Sequence, residues 1–405
     1  MSTIDPAVET ARWLATMSPD QTARAVAYTQ GGHWLLLGAA AVSLVSSWLI
    51  VRLGWLSAIR AGLERNRPRP VVVSLVVGAV YLLLSFILSL PWAIYANWWR
   101  EGQYGLTQQP LSGWLIDSAK GLGITLVAGA LLIAGLYFII RRTGRAWWIW
   151  GAGLVAVATV FMQLVSPILI EPMFNVYTPA PNGPMRDTVV QLAHETGTPS
   201  DKIYIYDGSK QSDRYTANVA GMFGSARVAM SDVMFKQGAD IAEVRGVVGH
   251  EMGHYVHQHA LWLTAFEVVM AGLAFFLIDR LFPLARRLLG AGRVTGLSDP
   301  AGLPVLAAIG AVLGLLSTPV ANFTSRWAEA DADHFSMVHA NAPDGLSKAL
   351  IKTAVYRAPS PGALEEFLFY DHPAVGNRIR AAMEWKAAHP PAEPAVPVTP
   401  VRPAS

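Results

Sequence analysis

Gly121-Leu-Gly-Ile-Thr-Leu-Val-Ala-Gly-Ala-Leu-Leu-Ile-Ala-Gly-Leu-Tyr-Phe-Ile-Ile140 is a run of twenty residues without a charged side chain. At 1.5 Å per residue a helix of this length covers about 30 Å, the thickness of a bilayer's hydrocarbon core. A buried helix of a soluble protein is a poor alternative. Similar apolar blocks flank it at 35–53, 71–90, 147–170, 260–283 and 301–321, which gives six spans. Blocks 147–170 and 260–283 carry Gln163, Pro167, Glu267 and Asp279, and are expected to face protein or a cavity. The bulk composition agrees: of 405 residues, 53% are hydrophobic and only 15% charged, against about a quarter charged in a soluble domain. The fold class expected is therefore mainly α, a polytopic helical membrane protein. Tryptophans near span ends, Trp92, Trp98, Trp99, Trp147, Trp148 and Trp150, suit an interfacial belt.

Net charge is +3 and no basic stripe is present, so nucleic acid is not an expected partner. With no cysteine, the chain has no disulfide, thiolate nucleophile or Cys-ligated metal. Residues 1–32 contain Asp5, Glu9 and Asp20 and do not read as a cleavable signal; they suit an amphipathic segment on the membrane surface.

Four spans occupy 33–170. The character then changes: Pro172, Pro179, Pro181 and Pro184 mark an exit from the membrane. Met185 to Thr196 has helical spacing, 202–207 and 227–232 alternate like strands, and Ala239 to His257 is helical again. A glycine-rich stretch around Gly221 and Gly224 would join the strands. Two spans at 260–321 form a hairpin, followed by a second polar region, 322–388, and a proline-rich tail, 389–405, expected to be disordered. The two polar regions, 171–259 and 322–388, must then lie on the same side of the membrane. They read as the halves of a small α+β domain, split by the hairpin.

The chemistry resides in His250-Glu251-Met252-Gly253-His254, an HExxH pattern. On a helix His250 and His254 stack on one face and can reach one ion, while Glu251 projects beside them and can take a proton from a metal-bound water. Zinc suits two imidazoles and a carboxylate, with the fourth position open for that water. The third ligand must come from elsewhere. Ser325-Arg-Trp-Ala-Glu-Ala-Asp-Ala-Asp333 offers Glu329, Asp331 and Asp333 on a helix continuing the last span. Glu329 and Asp333 share a face and Asp331 points away, so Glu329 is assigned to the metal and Asp333 to the free N–H of an imidazole. Alone, the segment would be read as a solvated acidic patch. Beside an HExxH on the same side of the membrane it is not.

This pair of segments resembles the integral-membrane zinc metallopeptidases typified by CAAX prenyl protease 1, which show HExxH, two spans and then SRxxExxAD. Glu171-Pro-Met-Phe-Asn-Val-Tyr-Thr-Pro179, Asp207-Gly-Ser-Lys210 and Asp371-His-Pro373 agree in order, and the likeness covers about 33–385. The resemblance implies one zinc per chain held by His250, His254 and Glu329, with Asp333 as companion. It implies His372 near the substrate, suited to stabilising an oxyanion, and it sets Thr216–Gly221, with Asn218, against the substrate backbone. Two departures are visible: six spans stand in place of seven, and His372-Pro-Ala in place of HPP. His257 and His259 are not expected to ligate zinc, and they suit the membrane interface.

The expected partners are a peptide or protein substrate, membrane-associated or soluble, and the bilayer. The protein should be a multi-pass membrane protein, in the inner membrane if the cell is bacterial. The side is open. Twelve arginines, among them Arg52, Arg60, Arg141 and Arg293, line the loops at 54–69, 141–146 and 280–299, against four basic residues opposite. The positive-inside rule places the twelve in the cytoplasm and the zinc site outside, and the resemblance implies the reverse. A quality-control protease for misfolded membrane proteins fits the same residues. A non-catalytic transporter or scaffold with a structural metal fits less well: such sites usually have four protein ligands, and the early spans carry almost no ionisable groups.

Overall fold

The structure, a computed structural model, describes residues 4–221 and 226–390. It has two ends, a bundle of long apolar helices and a smaller domain of helices around a short sheet.

Helix α1 (Pro6–Leu14) is followed by α2 (Pro19–Leu53). Ser18 sets the start of α2: its side chain accepts from the Gln21 N–H, the Gln21 side chain accepts from the Ser18 N–H, and Pro19 takes the first turn. The first long apolar helix thus begins at residue 19, inside the N-terminal segment expected to extend to 32. Trp13, Leu14, Met17 and Ala25 pack with Met337, Leu350, Ile379 and Met383 of the small domain, because these apolar groups find a protein partner there.

After α3 (Trp55–Glu64), α4 (Pro70–Ile94) continues helically to Gln103. Then come α5 (Leu111–Ile124), α6 (Ala130–Thr143) and α7 (Trp147–Val165). The helical run Leu111–Met173 holds 63 residues, about twice what one crossing needs. It folds back at Gly144, whose positive φ of 52° admits the turn, so that Gly135 lies against Leu154 and Gly151 against Leu136. Among the described residues, five helical runs are long and apolar enough to cross a membrane, against six expected spans, and this one folds back on itself into two long segments. The polar residues of the two spans expected to face protein or a cavity divide. Asp279 accepts from Trp147 Nε1 and Gln163 donates to Thr264, both between packed helices, whereas Glu267 lies exposed on the outer face of its helix.

The small domain begins with β1 (Tyr177–Pro179), then α8 (Pro184–Thr196), β2 (Ile203–Tyr206), β3 (Ala217–Ala220) and β4 (Arg227–Ser231). The strands lie in the order β1-β2-β4-β3, with β2 parallel to β4 and the other pairs antiparallel. The glycine-rich stretch therefore follows β3 and precedes β4, not β2; its residues 222–225, with Gly224, lie outside the described residues, as does the tail from 391. Helix α9 (Ile241–Val256) leads into α10 (His259–Leu288), and α11 (Leu303–Ala340) returns. At 38 residues α11 is about 57 Å long, far more than a crossing requires, and its far end enters the small domain. Helices α12 (Pro343–Thr353) and α13 (Val375–Ala388) close the domain.

Candidate metal centre

Helix α9 has three faces, each with its own work. Asp240 and Glu243 form a reciprocal cap at its start. Glu243 is fully buried and is neutralised by Lys352 at 2.7 Å. Val244, Val248 and Met252, four apart, are buried against α8 and the sheet. Each contributes about 1.5–3 kcal/mol through burial. Gly249 and Gly253 meet α11: a Cβ on Gly249 would stand 2.9 Å from Ala340 Cβ, and one on Gly253 3.0 Å from Phe335 Cβ. Only glycine allows this approach, which Ser336 secures by donating to the Gly246 carbonyl at 2.7 Å. The third face carries His250, Glu251 and His254 into a cavity of about 210 Å³, also lined by Tyr215, Glu329, His372 and Arg378.

The close approach brings Glu329 of α11 to the two imidazoles. His250 Nε2 and His254 Nε2 are 3.1 Å apart, and they lie 3.3 and 3.4 Å from the Glu329 carboxylate oxygens. Ligand atoms about 2.0–2.1 Å from a tetrahedral ion stand about 3.3–3.4 Å from one another, so the spacing fits a small divalent cation. The charge fits as well. With both imidazoles neutral, as ligation requires, Glu251, Glu329 and Asp333 face one buried cation, Arg378, and the ionised set lacks two positive charges, which a divalent ion supplies. His250, Glu329 and Asp333 are all under 9% exposed, so solvent screens little of that imbalance.

Asp333 accepts from His250 Nδ1 at 2.9 Å and receives two bonds of 2.7 Å from Arg378. Burial works against charge on His250, and the hydrogen bonds of Asp333 and Glu329 outweigh it, raising its pKa to about 10. Burial likewise pushes the Glu251 carboxyl above the usual carboxylate value. His372 presents Nε2 3.3 Å from Glu329 and is held through Nδ1 by Asp371 at 2.8 Å. Asn218 sits in edge strand β3, its Oδ1 buried without a hydrogen-bond partner, and it lines neither cavity that meets the cluster. A larger cavity, about 940 Å³, opens on the other side of His254, between β3 and the membrane helices.

Two residues of this centre escape sequence reading. Arg378 falls on the apolar face of α13 with Val375 and Ala382, and a charge on such a face was the available signal. His259 is buried, not interfacial. Gln258 adopts a left-handed conformation (φ 55°) that ends α9 and turns His259 back beneath His254.

Comparison with known proteins converges on one lineage. Residues 10–176 match the CAAX prenyl protease N-terminal model, described by five membrane helices, and residues 179–386 match peptidase family M48. Among the described residues of the first stretch, three helical runs are of spanning length, and the longest folds back on itself. The chain is 24% identical to an uncharacterised metalloprotease of Bacillus subtilis, over 90% of this chain and 86% of that protein. It is 27% identical to a CAAX prenyl protease 1 homolog of Arabidopsis thaliana, over 73% and 70% of the two chains. The crystal structure of S. mikatae Ste24p superposes with a TM-score of 0.75 at 20% identity, covering 91% of this chain and 89% of that one, and shares the fold. On this evidence the chain belongs to peptidase family M48 and is a polytopic membrane metalloprotease.

Proposed function

We propose that the chain is a zinc metalloendopeptidase with its metal held by His250, His254 and Glu329. The observation that carries this reading is the convergence of three ligand atoms from two helices on either side of a membrane hairpin. When bound, zinc polarises a carbonyl and lowers the pKa of a water to about 7. Glu251 takes the proton of the attacking water and returns it to the leaving amine. His372, held through Nδ1 by Asp371, presents Nε2 to the developing oxyanion and donates to it in its doubly protonated form. Asp333 fixes the orientation of His250. An extended peptide adds to the free edge of β3, alongside Asn218.

The substrate class follows from the apolar cavity next to His254. Pro167, Val219, Ala260, Leu261 and Leu263 line it, which suits a peptide with a large hydrophobic group near the scissile bond. A prenylated C-terminal peptide is such a substrate, and several relatives are named CAAX prenyl proteases. Glu251→Gln tests the mechanism: the variant is expected to keep one zinc per chain and lose about 10²–10⁴-fold in cleavage rate. Full activity in a folded, zinc-loaded variant would end the proposal.

A further inference from the structure

The Nδ1 atoms of His254 and His259 stand 2.9 Å apart, so one donates and the other accepts. His254 turns Nε2 toward His250 and Glu329, which leaves its own proton on Nδ1. His259 Nδ1 must then accept. Its proton is thereby placed on Nε2, a buried atom that makes no hydrogen bond of good geometry and lies 3.1 Å from Asp331 Oδ2 as an ion-pair contact. Each tautomer dictates the next, and the sequence ends on a carboxylate that His257 also contacts through Nδ1. The parts are fixed in place. His259 is only 2% exposed and packs edge-on against Trp327 of α11.

The two histidines of the pentapeptide are thus oriented differently. His250 meets a carboxylate directly, while His254 meets one through an intervening imidazole. We infer that His259 and Asp331 are positioning residues that hold the His254 ring and set its strength as a metal ligand. The inference rests on the reading of His250, His254 and Glu329 as the ligands. Metal-bound histidines owe much of their affinity to such outer partners, and their loss costs about 10–100-fold in metal binding.

His257, His259 and Asp331 also place ligand atoms within 4.8 Å of one another, which raises the alternative of a second ion. The tautomers argue against it. Ligation through His259 Nε2 would need its lone pair there and its proton on Nδ1, facing the Nδ1 proton of His254 at 2.9 Å. The relay and a second ion exclude each other.

Zinc occupancy of the full-length protein in detergent, measured against buffered free zinc, tests the relay without an activity assay. The wild type should bind one zinc, and His259→Ala and Asp331→Ala should each bind it about 10–100-fold more weakly. His259→Asn should recover part of the loss, because its side-chain oxygen stands near the lost Nδ1. Thermal unfolding in excess chelator separates loss of affinity from loss of fold. Should His259→Ala fail to fold, Asp331→Ala, at a partly exposed position, carries the test. Wild-type affinity in the folded variants overturns the relay alone. Two zinc ions in the wild type, with one lost in His259→Ala, overturn it in favour of a second site. A wild type that binds no zinc defeats the metal-centre reading, and the relay with it.

Discussion

With both imidazoles neutral, Glu251, Glu329 and Asp333 face one guanidinium, a set that a divalent ion balances, and the behaviour of single residues follows from that. On the proposed reading, removing Glu329 takes away a ligand and one of the charges that attract the ion. Glu329→Ala is therefore expected to lose stoichiometric zinc during purification, as elemental analysis would read. Glu251 serves as a base only when ionised, and burial raises its pKa above the ordinary 4.5. Activity should thus fall as pH drops through a value above 4.5, with zinc content measured at each pH to exclude loss of metal; an acid limb at or below 4.5 contradicts this. The pentapeptide and the acidic segment could be read from sequence because fixed spacing on a helix is a geometric statement. Arg378 and His259 could not, because each acts through a contact made only after folding: one across helices, the other across a left-handed turn.

Among the elements, α9 shows how backbone approach sets ligand distance. Its two glycines let α11 come close enough for Glu329 to reach both imidazoles. Gly253→Ala puts a methyl group against Phe335 and Ala332, and overpacking of this kind costs about 1–3 kcal/mol. The variant should unfold earlier and bind zinc more weakly, although no ligand has been altered; calorimetry and zinc titration would measure the two effects. Long helices were legible because apolar runs of membrane length leave few alternatives. Strands β1 and β3 were not. Tyr177–Pro179 ends in proline, and Ala217–Ala220 is four residues of weak strand preference, so both owe their conformation to pairing partners.

The whole molecule is polarised between its two ends. Arg60 pairs with Asp299, and Arg141 donates to Ser74 and the Pro70 carbonyl, which gathers the arginine-bearing loops at the end away from the metal group. Reporters after residue 388 and within the loop between α10 and α11 should therefore report opposite sides of the membrane; agreement between them would refute the hairpin. The long apolar helices were legible from hydropathy, whereas the place of the N-terminus was not, since α1 packs on residues more than 300 positions away. The division of the ligands across the hairpin has a final consequence. No single cut can shed a soluble, active fragment from this protein, because any piece freed from the bilayer leaves behind either the histidine pair or the glutamate.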